Sequence, residues 1–274
     1  MLQYWQLLNL DKRETLGQCG DFPEFLASPS TPDAILPLFA SNMLSHPSSW
    51  AGDRVICISD YAITYPKGLL TDKELDEIED MYLDEDNGDE YAGDDPAPTL
   101  FSFAEEWYFL RQSHLSGPSG SQNQFRKGGI GKDAKKAWYL RNLTKKEYVR
   151  SDLLGDCPQL PWQTDSDPSQ SNSEERSTNS NNAIRGLCQA LLLCTSWSSE
   201  LETIIAPLSP KGGKPKAAAG EQEKIDVGQG KWAGDRLDIR CASELDKADL
   251  ESWKDVSVEV GKELGIVWKT LGVF

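Results

Sequence analysis

The pentapeptide Trp-Ala-Gly-Asp-Arg occurs twice in this 274-residue chain, at Trp50–Arg54 and at Trp232–Arg236, and each copy runs into a short apolar stretch. A second match precedes each copy in the same order. Asn9-Leu10-Asp11-Lys12-Arg13-Glu14 is echoed by Asn142-Leu143-Thr144-Lys145-Lys146-Glu147, with the aromatic pairs Tyr4-Trp5 and Trp138-Tyr139 just upstream. Chance rarely repeats a Trp-containing five-residue identity, and more rarely in a fixed order with a second motif. Repetition is therefore the strongest constraint on the fold. Each unit is too small to bury an ample core alone. The expected architecture is α+β, with internally duplicated strand-helix-strand-helix units related by pseudo-twofold symmetry in one compact domain.

The apolar pattern fills in the units. Residues 4–10 and 138–143 read as opening strands, each left through its charged cluster. Asp33 is placed to cap a short helix over 33–40 that must accommodate Pro37 in its first turn or kink there. The run after the first pentapeptide, Arg54–Ser59, suits a central strand, and Leu237–Cys241 alternates as a half-exposed strand should. Thr71-Asp-Lys-Glu74 is a capping box, with Leu70 and Leu75 spaced for a hydrophobic staple and Leu75, Ile78 and Tyr82 on one helical face. A helix over 100–115 is predicted to carry Phe103, Trp107 and Leu110 inward. Asn182 is the expected cap of a helix bearing Ile184, Leu187, Cys188, Leu191, Leu192 and Thr195, and a last helix over 256–271 places Val260, Leu264, Val267, Trp268 and Leu271 together. The resulting division is a first unit with its acidic segment at 1–98, a connecting helix and loop at 99–136, and a second unit at 137–274. The second unit holds polar inserts near 163–182 and 209–230 that lack the apolar residues needed to pack.

The formal net charge of −16 is concentrated: residues 72–95 contain thirteen acidic side chains and one base, Lys73. Such a balance repels phosphate backbones at long range and argues against general nucleic-acid binding. The basic run of Arg126, Lys127, Lys132, Lys135, Lys136, Arg141, Lys145, Lys146 and Arg150 reads first as a solvated surface offsetting the acidic one. The N-terminal residues lack a secretory pattern, and no stretch approaches the length of a membrane span, so an intracellular, cytoplasmic protein is expected. The six cysteines are scattered without a Cys-x-x-Cys pair and read as reduced thiols. With only His46 and His114 available, no metal site is expected, and no cofactor either. Gly128–Asp133 lacks the first glycine and the Ser or Thr of a phosphate loop. The same stretch follows no buried strand, as a dinucleotide loop would require, and Asp84–Glu90 puts its glycine one place too early for a calcium loop.

The two copied motifs have two readings. In the structural one, Ala-Gly-Asp makes a tight turn, Trp fills the core and the Asp or Arg ties neighbouring backbone. In the functional one, Trp50, Asp53 and Arg54 with Lys12 and Glu14 line a polar ligand site, and Trp232, Asp235 and Arg236 with Lys145 and Glu147 line another. The combination of Asn-Leu-x-Lys-[Lys/Arg]-Glu, Trp-Ala-Gly-Asp-Arg and Trp253-Lys254-Asp255-Val256-Ser257 resembles a group of uncharacterised fungal proteins with shorter bacterial relatives. That resemblance covers both units but not the inserts, and implies a shared fold without an activity. The expected function is a non-enzymatic intracellular binding or protein-interaction module whose acidic segment 72–95 meets a protein partner. The alternative is an enzyme or small-ligand-binding protein with paired sites at the pentapeptides.

Overall fold

The apolar runs that follow Tyr4 and Arg54 become two strands buried at every residue, and they set the middle of the larger sheet in the computed structural model. The structure describes residues 3–20, 22–27, 31–40, 49–80, 98–111, 137–154, 178–206 and 223–270. In chain order its strands are β1 (Trp5–Asn9), β2 (Glu14–Cys19), β3 (Val55–Ser59), β4 (Phe109–Leu110), β5 (Trp138–Asn142), β6 (Glu147–Arg150), β7 (Ser196–Ala206), β8 (Glu223–Gln229), β9 (Leu237–Cys241) and β10 (Lys254–Asp255). Its helices are α1 (Phe22–Ala27), α2 (Thr31–Phe39), α3 (Asp72–Asp80), α4 (Leu100–Trp107), α5 (Thr178–Thr195), α6 (Lys247–Leu250) and α7 (Ser257–Thr270). The fold is α+β with two mixed sheets, one ordered β4-β2-β1-β3-β7-β8 and the other β10-β6-β5-β9.

Both hairpins turn in the same way. β1 and β2 are antiparallel with Asn9 opposite Glu14, and β5 and β6 are antiparallel with Asn142 opposite Glu147. Each turn places a long basic residue in the left-handed region, Arg13 at φ 51° and Lys146 at φ 54°. The charged clusters are thus hairpin turns rather than simple strand exits. β2 and β6 escape a pattern search because they are only partly buried and mix polar with apolar residues.

The two halves of the chain are joined through the residues that follow the helices. The end of α2 leads to Ala40, which bridges Ile239 of β9 in parallel, while the end of α5 leads to β7, whose Ser196 lies parallel to Cys57 of β3. One core cluster accordingly draws on both halves of the chain, including Trp5, Phe39, Trp50, Leu140, Leu191, Trp232, Ile239 and Val260. A second cluster covers the opposite face of the larger sheet, with Leu8, Ile56 and Ile58 under Leu100, Phe101 and Phe103 of α4.

Several expectations need correction. α2 begins at Thr31, so Asp33 lies in its first turn rather than at its cap, and Pro37 sits in the last turn. The capping box of α3 forms, with Thr71 N–H donating to Glu74 and Glu74 N–H to Thr71 Oγ1, yet Leu75 is exposed and Ile78 alone is buried. α4 ends at Trp107, eight residues before the predicted stop. Its Phe103 is buried, but Trp107 and Leu110 are exposed, because the chain straightens into β4 beside β2. α5 starts at Thr178, ahead of the Asn182 cap, so residues 178–182 belong to a helix. β9 is more buried than its alternation implies, since Asp238 is held inside by Arg141. Strands β7 and β8 were not legible, and β8 occupies the end of the expected 209–230 insert. Tyr82, Leu271, the remainder of both inserts and most of the acidic segment lie outside the described residues.

Two glycines test the geometry of the pentapeptides. Gly52 at φ 88° and Gly234 at φ 81° occupy the same place in the two copies, but a Cβ on Gly52 meets nothing, whereas one on Gly234 would collide with Leu69 Cδ1. Gly52→Ala is expected to lower stability by about 1 kcal/mol through backbone strain alone. Gly234→Ala should cost more, because buried Leu69 must also move. Urea unfolding of the two variants checks the order, and equal losses would contradict it.

Candidate functional site

The two pentapeptides lie against each other. Gly52 N–H donates to the Leu237 carbonyl at 2.8 Å, Gly234 N–H to the Val55 carbonyl at 2.8 Å, and Arg54 and Arg236 form an antiparallel bridge. Within each copy the turn closes by the Asp N–H donating to the Trp carbonyl, Asp53 to Trp50 and Asp235 to Trp232, both at 3.0 Å. The Trp N–H groups are held by helix ends, Trp50 by Leu38 and Trp232 by Cys194, each at 2.7 Å. The motif therefore fixes where a helix, a turn and a strand meet.

Its side chains complete the joint. Asn9 Nδ2 donates to Asp53 at 2.8 Å, and Asn142 Nδ2 donates to Asp235 at 2.8 Å. The other oxygen of each amide accepts the backbone N–H of the residue three places on, Lys12 or Lys145, at 2.9 Å. Lys12 then pairs with Asp53 at 2.8 Å and donates to the Ser49 carbonyl, while Lys145 pairs with Asp235 at 3.0 Å and donates to the Lys231 carbonyl. Both indoles are fully buried, and each N–H finds a carboxylate. Trp50 donates to Glu14 and Trp232 to Glu147 at 2.7 Å. A buried indole N–H without an acceptor would forfeit about 1–3 kcal/mol, so the glutamate at the start of each return strand has a structural task.

The arginines are where the copies diverge. Arg54 donates to Asp11 at 2.7 Å, to the Leu69 carbonyl at 2.8 Å and to Glu74 at 3.1 Å. Arg236 reaches across to the same Asp11 at 2.6 Å and to the Gly52 carbonyl at 2.8 Å, with its side chain twice as exposed, 48% against 24%. Burial alone would raise the Asp11 carboxyl, but hydrogen bonds from the Arg54 side chain and backbone and the charges of both arginines outweigh it and hold the group below its ordinary 3.8. Glu74 is likewise raised by burial and lowered more strongly by Thr71 and Arg54, to below 4.5.

The structure brings Lys12, Asp53 and Asn9 together, and Lys145, Asp235 and Asn142 together. Glu14 and Glu147 turn instead to the tryptophans, and Glu14 also takes Arg111 at 2.8 Å. Arg54 and Arg236 face Asp11 rather than the Lys–Asp pairs. Asp11 is the residue that sequence comparison could not single out, because Thr144 stands at its place in the second copy. There the Thr144 hydroxyl accepts the Arg236 N–H at 3.0 Å, as Asp11 accepts that of Arg54 at 3.1 Å. Asn142, formally a glycosylation acceptor, is fully buried.

Three of the described thiols are held away from the thiolate form by burial. Burial pushes Cys19 up to about 11 and Cys57 and Cys194 well above their ordinary range. His46 and His114, the P-loop-like stretch 128–134 and the calcium-loop-like stretch 84–90 lie outside the described residues. No group of His, Cys, Asp and Glu suited to a metal ion occurs among the described residues, and no described helix is long and apolar enough to cross a membrane. No family model, no curated protein and no solved structure matches the chain.

Unequal bonding makes the arginines separable. Arg54→Met should lower stability by about 2 kcal/mol, since it removes the side-chain bonds to Asp11, Glu74 and the Leu69 carbonyl, and Arg236→Met by under about 1 kcal/mol. Urea unfolding at neutral pH distinguishes them. Because the folded Asp11 and Glu74 carboxyls titrate below their ordinary 3.8 and 4.5, their contribution is complete above those values and is lost as pH falls through the depressed ones. Unfolding measured from pH 6 down to pH 3 should show stability falling on the acid side, with a shallower fall in Arg54→Met. Parallel slopes would contradict the assignment.

Proposed function

We propose that this chain is a non-enzymatic intracellular protein-interaction module built from two copies of one unit, related by a pseudo-twofold axis between Arg54 and Arg236. The duplication is supported by the matched sets of bonds: the same Asn–Asp–Lys arrangement, the same Trp–Glu bond and the same left-handed turn residue at each motif. The observation that carries the functional reading is that the charged side chains of both motifs, Lys12, Glu14, Asp53, Arg54, Lys145, Glu147, Asp235 and Arg236, all engage partners within the chain. A ligand at either motif would have to break a Lys–Asp pair and a lysine–carbonyl bond that hold the turn. Partner contact then falls to groups outside the two motifs, and the acidic segment 72–95 is the most distinctive run of charge in the sequence. Within α3 it exposes Asp72, Asp76, Glu79 and Asp80 on the side away from Ile78. A protein with a basic surface fits that charge, and steering would speed the encounter.

Cross-linking followed by native mass spectrometry of the protein isolated from its own cells tests this reading. A protein partner at fixed stoichiometry is expected, its recovery reduced about tenfold in the triple variant Asp76→Asn, Glu79→Gln, Asp80→Asn. A bound small molecule of defined mass, lost in Lys12→Gln and Lys145→Gln, would overturn it in favour of paired ligand sites.

A further inference from the structure

Trp107, Phe109 and Leu110 are 62%, 83% and 58% exposed, although Tyr108 between them is buried. They lie at the end of α4 and along β4, the outermost strand of the six-stranded sheet among the described residues. Phe109 N–H donates to the Arg13 carbonyl at 2.8 Å and Arg111 N–H to the Thr15 carbonyl at 2.7 Å. Alternation along the strand turns the N–H and carbonyl of Leu110 to the side where no described strand pairs. An apolar strand with an open backbone edge is a template for another strand, and proteins commonly blunt such edges with charge.

The smaller sheet supplies a control within the same molecule. Its edge strand β10 runs parallel to β6 with Lys254 opposite Glu147, as β4 runs parallel to β2 with Phe109 opposite Glu14. Lys254 and Asp255, both exposed, thus occupy the positions that Phe109 and Leu110 occupy in the larger sheet. A charged pair satisfies the packing of such an edge, so the architecture does not call for Phe and Leu at β4.

The rim identifies the occupant. Glu105 and Glu106 precede Trp107 and are exposed. On the other side, the acidic helix α3 reaches this edge through the pair of Glu77 with Arg13, the residue whose carbonyl holds Phe109. The nearby cations Arg13 and Arg111 are paired, with Glu77 and Glu14. A second copy of a chain carrying −16 would bring like rims together.

We propose that β4 is a docking strand for an extended apolar segment flanked by Lys or Arg in a partner protein, which adds to the sheet beside Leu110 and covers Trp107 and Phe109. This rests on the protein-interaction reading above and gives it a surface. The probe is a labelled Lys-Lys-Val-Thr-Ile-Thr-Val-Lys-Lys peptide, with a Glu-flanked version as control. Fluorescence anisotropy should show binding by the intact protein and an affinity about tenfold lower for both the Glu-flanked peptide and the double variant Phe109→Lys, Leu110→Asp, which copies β10. Hydrogen exchange on the unmodified protein supplies a readout independent of any variant: the Leu110 amide should be protected by the Lys-flanked peptide. Absence of binding, equal binding of both peptides, undiminished binding by the double variant or an unprotected Leu110 amide would each overturn the proposal. So would a dimer of the intact protein that the double variant abolishes in sedimentation. If the natural partner still cross-links to the double variant, the docking strand is wrong and the interaction reading stands. If no partner cross-links to the intact protein and a small ligand is bound instead, that reading is the one that fails.

Discussion

Three backbone hydrogen bonds, from Gly52 to Leu237, from Gly234 to Val55 and from Val55 to Asp235, hold the two sheets together where β3 and β9 begin. Everything else at the joint serves to make those N–H groups available at that spot. A glycine turn of positive φ aims the N–H across the interface, and the Asp that follows closes the turn on the Trp carbonyl. The Trp is anchored in turn to a helix end through its backbone and to a return strand through its indole. Losing the clasp would separate two sheets whose inner faces share one core, so a local turn has leverage over the whole molecule.

The Asn–Asp pairs of the joint are buried or half-buried, which is affordable only because each polar group is answered. Asn9 is fully buried, and its amide donates to Asp53 while accepting from Lys12, so both ends are used. The lysine supplies the charge that Asp53 needs and a donor for a carbonyl left by the turn. A chain that replaced one member alone would leave each of its neighbours one partner short, and this interdependence accounts for the motif recurring as a set.

The sequence was most legible where one physical demand dominated. The buried strands β1, β3 and β5 and the α3 capping box follow from apolar runs and a local hydrogen-bond pattern. Strands β2, β6, β4 and β10 were hidden because their pairing partners are distant in sequence or their faces are half-exposed, so no period marks them. The α4 boundary failed for a related reason. Trp107 and Leu110 fit a helical face, but β2 offered Phe109 and Arg111 backbone bonds that a longer helix would forgo. At the motifs, the Lys–Asp contact was within reach of sequence reasoning, since both residues recur. The shared role of Asp11 was not, because it arises only when two arginines from separate copies converge on one carboxylate.

The outer faces of the sheets show how far matching positions can diverge while the joint is kept. Leu8, just before Asn9, and Ile56, just after Val55, are covered by α4, whose Leu100, Phe101 and Phe103 form an apolar lid. The residues in the corresponding places, Arg141 before Asn142 and Asp238 after Leu237, form a buried bidentate pair with bonds of 2.8 and 2.5 Å, and Arg141 lies 5.1 Å from the Trp253 ring. Such a pair adds little stability over an apolar alternative, because removing both charges from water offsets their attraction. Its effect is on choice. Docking Leu100 and Phe101 over Arg141 and Asp238 would strand two charges under apolar side chains, so the lid fits one sheet and not the other. Two sheets built on the same turn are thereby made non-interchangeable, and the aromatic edge that ends α4 is confined to the larger one.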